Sequence, residues 1–136
     1  MNYVLVSACL VGEEVRWHGR KVPYSAFVRK FQKANPDVQL IPVCPEMLGG
    51  LPTPRPPVKV RHGRVLTTCE DKAHRDEVTG DDVTDAFVAG AQATLTIAKE
   101  NRCTRAILLK TSPSCARNGI TGKLLLENGI EVISVL

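Results

Sequence analysis

Four short, nearly continuous apolar stretches set what this chain can fold into. They are YVLVSA (residues 3–8), VQLIPVC (38–44), RAILLK (105–110) and IEVISVL (130–136). Runs of this kind are the form of strands covered on both faces, which occur mainly in parallel sheets. Between them lie segments of helical pattern. YSAFVRKFQKAN (24–35) places Phe27, Val28 and Phe31 at helical spacing, and NPD stops it. DDVTDAFVAGAQATLTIAKENR (81–102) can be capped by Asp81 or Asp82 and sets Val83, Phe87, Gly90, Thr94 and Ile97 on one face. TGKLLLEN (121–128) is a short helix ended by Gly129. PVKVRHGRVLTT (57–68) has the form of a small hairpin with His62 and Gly63 at the turn. Pro42 inside the second apolar stretch counts against a strand there. Strands alternating with helices predict an α/β fold: one domain over residues 1–136, Rossmann-like, with a mostly parallel sheet, helices on both faces and the hairpin added.

A chain of 136 residues can bury a usable core without staples. It shows no internal repeat, low-complexity tract or linker, and no stretch approaches the ~20 apolar residues of a membrane span. The opening MNYVLVSACL runs straight into the first strand without a basic segment or a small-residue cleavage pattern, so a cytoplasmic location is expected. In that compartment five irregularly spaced cysteines suit metal binding or catalysis better than a disulfide framework. The net charge of +4 tolerates an anionic ligand. Together with scarce aromatics and no RNA-binding signature, it gives no strong nucleic-acid signal.

In parallel sheets ligands bind beyond the carboxyl ends of the strands. Cys9, Cys44 and Cys115 each stand at or just after such an end, where the apolar run gives way to Gly, Pro and Ser. They are expected to meet along one edge of the fold. Cys103 precedes its strand and belongs at the opposite end, and Cys69 sits in the irregular segment after the hairpin. Thiolates are soft ligands for zinc, copper(I) or iron–sulfur clusters. A structural zinc site usually takes four ligands, often with a C-x-x-C pair that this sequence lacks. Three separated thiolates suit a cubane cluster with one iron left open to a substrate atom. Two alternatives stay open: cysteines packed as small hydrophobes, or a module that binds a nucleotide or other small ligand, with structural or zinc-bound cysteines.

The neighbours of these cysteines carry further chemistry. In CPEMLGGLPTPR, Glu46 can be held beside a metal site for acid–base work, Gly49 and Gly50 permit close approach of the main chain, and Arg55 suits an anion or carbonyl. In TSPSC, Ser112 and Ser114 offer hydroxyls to a substrate or to cluster sulfurs, or serve simply as turn formers. In VRWHG, Arg16 can bind an anion and Trp17 can stack on a flat ring or pack in the core, while His18 is read as exposed.

The motifs VSACLVGEEVRW, CPEMLGGLPTPRPP and SPSC, with DDVTDAFVAGA between the last two, resemble the bacterial thiouracil desulfidase family over nearly the whole chain. The resemblance implies a [4Fe–4S] cluster on Cys9, Cys44 and Cys115, one that aerobic preparation can strip, and non-redox removal of sulfur from a thiolated nucleobase or related small thioamide. In the implied reaction the open iron polarises the C–S bond as a Lewis acid, water attacks the ring carbon, and sulfide is released. Glu46 is then the proton-transfer residue and Ser112 a substrate-orienting group, with Ser114 behind it. Two features depart from the family. His18 stands where an acidic residue is common, and only ARN separates Cys115 from GITGKLLLENGIEV, where members usually carry a longer glycine-rich segment. Either this loop is short, or a segment is absent from the sequence and an overlong Cα–Cα step, above the normal ~3.8 Å, is expected between Cys115 and Gly122.

Overall fold

A computed structural model describes residues 2–20, 22–68 and 78–136; Cys69 lies outside them. In chain order the elements are β1 (Asn2–Ser7), a 3-10 turn (Ala8–Val11), α1 (Ala26–Ala34), β2 (Val38–Val43), α2 (Pro45–Leu48), β3 (Val58–Arg61), β4 (Arg64–Thr68), β5 (Val78–Asp82), α3 (Thr84–Glu100), β6 (Arg105–Leu109), α4 (Ile120–Glu127) and β7 (Glu131–Val135).

The four apolar stretches form one parallel sheet in the order β2-β1-β6-β7. Burial explains the composition of the two central strands, where Val4, Leu5, Val6, Ala106, Ile107 and Leu108 are all at most 2% exposed, whereas edge strand β2 buries only Val43. Pro42 is tolerated because β2 is an edge strand, paired only with β1, so its missing N–H interrupts no second ladder. The connection from β1 to β2 steps one way along the sheet and that from β6 to β7 steps the other. Right-handed crossovers therefore put α1 and α4 on opposite faces, and α3 packs beside α4. Val28 of α1, Ala98 of α3 and Leu125 of α4 seal the core with the sheet residues. No described helix is long and apolar enough to cross a membrane.

Local chemistry accounts for most boundaries. The Ser25 hydroxyl accepts the Val28 N–H at 3.3 Å and starts α1. Of the three apolar residues expected to share its inner face, Val28 is fully buried and Phe31 half-buried, but Phe27 is 45% exposed. The long helix begins later than its sequence suggested, because Asp81 and Asp82 belong to β5. Asp82 still accepts the Thr84 N–H, at 2.9 Å, so it caps the helix from inside a strand. The hairpin of β3 and β4 turns through His62 and Gly63, at φ 51° and 76°, the left-handed pair that a two-residue hairpin loop needs. It gains a third antiparallel strand, β5, giving the order β3-β4-β5.

The four-residue α2 begins immediately after Cys44, with Pro45 in its first turn. It lies against α3 with almost no space between the backbones. A β-carbon on Gly49 would stand 1.9 Å from the Ala86 carbonyl oxygen, and one on Gly90 would stand 1.8 Å from that of Pro45. This glycine-to-glycine crossing fixes where Cys44 and Glu46 project.

Candidate active site

The sheet order reverses direction between β1 and β6, and crevices at such a switch point are where parallel sheets bind ligands. Cys9 lies in the 3-10 turn after β1, Cys44 precedes α2 after β2, and Cys115 lies in the turn that follows β6. All three line one cavity of about 170 Å³, together with Glu46, Arg16, Arg55, Ser112 and Ser114. Every site residue expected from the sequence is thus brought to one place. Trp17 joins the wall, whereas His18 and Cys103 do not.

The thiols are held away from water. Burial pushes Cys115 up to about 12, opposed by the nearby Ser7 and Ser112 hydroxyls and reinforced by Cys9 and Glu46. Burial also raises Cys9, against the pull of the Arg16 guanidinium, with Cys44 and Glu46 adding to the rise. Cys44 is raised by burial too, and the Met47 N–H and Arg55 oppose it while Glu46 adds to it. One carboxylate therefore acts on all three sulfurs. Neutral thiols beside a carboxylate become thiolates once a cationic group sits among them, which is the behaviour of metal ligands. Among the described residues, no three Cys, His, Asp or Glu side chains converge on a single-ion position. Separated sulfurs around a shared cavity match the demand of a cluster, where each thiolate meets its own iron.

Glu46 is fixed by Arg55, whose Nη2 donates to its Oε2 at 2.5 Å; the two side chains are 14% and 5% exposed, respectively. The same Nη2 donates to the Val15 carbonyl at 2.9 Å, and Nη1 donates to Thr53 Oγ1 and the Pro52 carbonyl. Both terminal nitrogens are engaged by the protein, so Arg55 bears on a ligand mainly through Glu46. Arg16 differs: among the described residues its guanidinium has no hydrogen-bonded acceptor, and it faces Cys9 across the cavity wall. Ser112 organises the third loop. Its Oγ accepts the N–H groups of Ser114 and Cys115 at 3.2 and 3.1 Å and lies 3.3 Å from Ser114 Oγ.

Two features were missed from sequence. One is the Val15 carbonyl, toward which the Cys44 sulfur points at 3.8 Å and which also receives Arg55. The other is Ser7, a cavity-lining hydroxyl that interrupts an apolar strand. Its one sequence signal was a lone polar residue in a run otherwise buried on both faces.

The profile of the 2-thiouracil desulfurase family matches residues 4–135. The chain belongs to that family of enzymes. The desulfurase-family chain is also 34% identical over 146 aligned residues to the uncharacterized protein YbbK of Bacillus subtilis (strain 168), covering 96% of this chain and 94% of YbbK. Its fold matches the solved structure of TudS, a [4Fe-4S]-dependent thiouracil desulfidase, with a TM-score of 0.78 and 31% identity, over 98% of this chain and 91% of that one. The short passage from Cys115 to α4 in this desulfurase-family chain is a tight turn, with Ala116 N donating to Ser112 O at 3.0 Å and Thr121 N to Ser114 O at 2.9 Å. His18 accepts the Arg20 N–H on Nδ1 at 2.9 Å, and burial, then Arg20 and Arg16, lower its pKa, so it is neutral at pH 7.

Proposed function

We propose that this chain hydrolytically desulfurates a thiolated nucleobase of the thiouracil type, or a related small thioamide, and releases sulfide. Cys9, Cys44 and Cys115 hold a [4Fe–4S] cluster, which supplies a Lewis-acidic iron for the substrate sulfur when bound. The observation that carries this is the convergence of two buried thiols, the half-buried thiol of Cys44 and one clamped carboxylate on a single cavity at the switch point. Family membership and the likeness to TudS support the substrate class.

The overall change replaces the thiocarbonyl sulfur with the oxygen of water, and the sulfur leaves as hydrogen sulfide, so no electrons are exchanged. The chain's residues handle position and protons. Glu46 accepts a proton from the attacking water and returns one to the departing sulfur, and Arg55 keeps its carboxylate aimed into the cavity. Ser112 orients the ring, with its lone pairs partly occupied by backbone N–H groups, and Ser114 supports it. Arg16 receives a ring carbonyl or anionic nitrogen at the cavity wall. Trp17, also in that wall, offers a flat apolar surface to a planar base.

Sulfide release from 2-thiouracil by anaerobically reconstituted protein tests the proposal. Glu46→Gln is expected to keep its iron and lose about 10²–10⁴-fold in rate. An iron-loaded wild type that releases no sulfide from any thiolated pyrimidine would contradict the substrate class.

A further inference from the structure

Residues 13–20 run from the 3-10 turn toward α1 without forming a helix or strand, yet Val15, Arg16 and Trp17 supply one wall of the cavity. At the start of this segment the Glu13 N–H donates to the Ala8 carbonyl at 3.2 Å, and the Val15 and Gly19 N–H groups bond within it. Further along, Arg55 takes hold of it twice. Its Nη2 donates to the Val15 carbonyl at 2.9 Å, and its main-chain N–H donates to the Trp17 carbonyl at 2.7 Å. The two anchored carbonyls bracket Arg16. Arg55 is 6% exposed, and the Nη2 that binds Val15 also donates to Glu46 Oε2, so the wall and the carboxylate share one nitrogen. Nη1 donates to Thr53 Oγ1 at 2.9 Å and to the Pro52 carbonyl at 3.3 Å, which fixes the plane of the guanidinium. The four terminal hydrogens thus have four acceptors in the protein, and Arg55 acts through its neighbours.

We infer that Arg55 is a positioning residue for the base-binding wall as well as for Glu46, one side chain fixing the gap between that wall and the carboxylate. This rests on the desulfurase reading of the cavity given above. Arg55 reaches the ring by two routes. One passes through Glu46, which moves protons; the other passes through Val15 and Trp17, which place the groups that hold the base. The second route does not involve the carboxylate, so it predicts an effect on binding that the first does not. The Trp17 link is main-chain and survives substitution of the side chain, so variants at position 55 report on the Val15 link.

The test uses iron-loaded wild type, Arg55→Lys, Glu46→Gln and the double variant, measuring KM and kcat for 2-thiouracil and direct binding of uracil, its desulfurated product. Lysine keeps a cation beside Glu46 but lacks the planar fork that holds Val15, Thr53 and Pro52 together. Arg55→Lys is expected to raise KM and weaken uracil binding several-fold, and by the same factor in the Glu46→Gln background. Glu46→Gln alone is expected to fall in kcat with uracil binding largely kept. Should the lysine variant fold poorly, Thr53→Val takes its place; it removes an Nη1 acceptor, leaves Glu46 paired and is expected to weaken uracil binding likewise. Wild-type uracil affinity in the loaded variant, or an effect that vanishes in the Glu46→Gln background, would mean that Arg55 acts through Glu46 alone and would overturn the inference. Iron-loaded wild type that neither binds uracil nor desulfurates 2-thiouracil would overturn the reading of the cavity and this inference with it.

Discussion

Arg55 and Glu46 face one another with both charges largely withdrawn from water, their side chains 5% and 14% exposed. Such a pair adds little to stability as a whole, but removing one partner strands the other. Arg55→Ala is accordingly expected to cost about 3–5 kcal/mol in urea unfolding. Glu46→Gln should cost less, because the amide oxygen still accepts from the guanidinium; equal losses would contradict this account of the pair. The sequence identified Arg55 as an anion binder. That the anion is a residue nine positions earlier was not legible, because it depends on how the loop after Gly50 folds back onto Val15 and Trp17. The three cysteines were legible because each lies at or after the C-terminal end of an apolar run, where the sequence turns to Gly, Pro and Ser. Ser7 was not, since a hydroxyl in a strand usually packs or bonds locally, and its partner, the Leu109 N–H, lies across the sheet.

At the scale of elements, the crossing of α2 and α3 carries the site. Gly90→Ala would drive a β-carbon into the Pro45 carbonyl, a backbone atom that cannot rotate away. A destabilisation of about 1–3 kcal/mol or more is expected in thermal or denaturant unfolding, with lost iron binding because Cys44 and Glu46 flank Pro45. Wild-type stability and iron content in that variant would refute the tight crossing. The junction of β5 and α3 gives a pH prediction. Hydrogen bonds from Thr84, first of all, and from Arg64 lower the Asp82 carboxyl from its ordinary 3.8 to about 2. Because the folded value is the lower one, its stabilising effect is present above about pH 4 and fades as the pH falls toward 2. Asp82→Asn should flatten that part of the stability curve, measured by denaturant unfolding from pH 5 to 2; an unchanged acid limb would argue against the junction. The central parallel strands β1 and β6 were readable because burial on both faces writes itself as continuous apolar sequence. VTGDD (β5) and PEML (α2) were not, as neither has a periodic apolar face. Their positions come from the edge of β4 and the surface of α3.

Across the whole molecule, the cavity joins chain segments that follow three different strands, so a group bound by all three cysteines braces the sheet at its switch point. Ligand binding to the folded state alone raises stability, and removal of iron by a chelator is expected to lower the Tm on the order of 10 °C. An unchanged Tm would mean that the bound metal does not bridge these segments. The α/β layout and the meeting of Cys9, Cys44 and Cys115 were both readable from strand ends, whereas the third strand of the small sheet and the Ser7 link from β1 to β6 required the assembled fold. The most direct measurement is iron and acid-labile sulfide per chain after anaerobic purification, in wild type and in Cys115→Ser. The account predicts about four of each in the wild type and their loss in the variant. Metal-free wild type, both as purified and after attempted reconstitution, would contradict it.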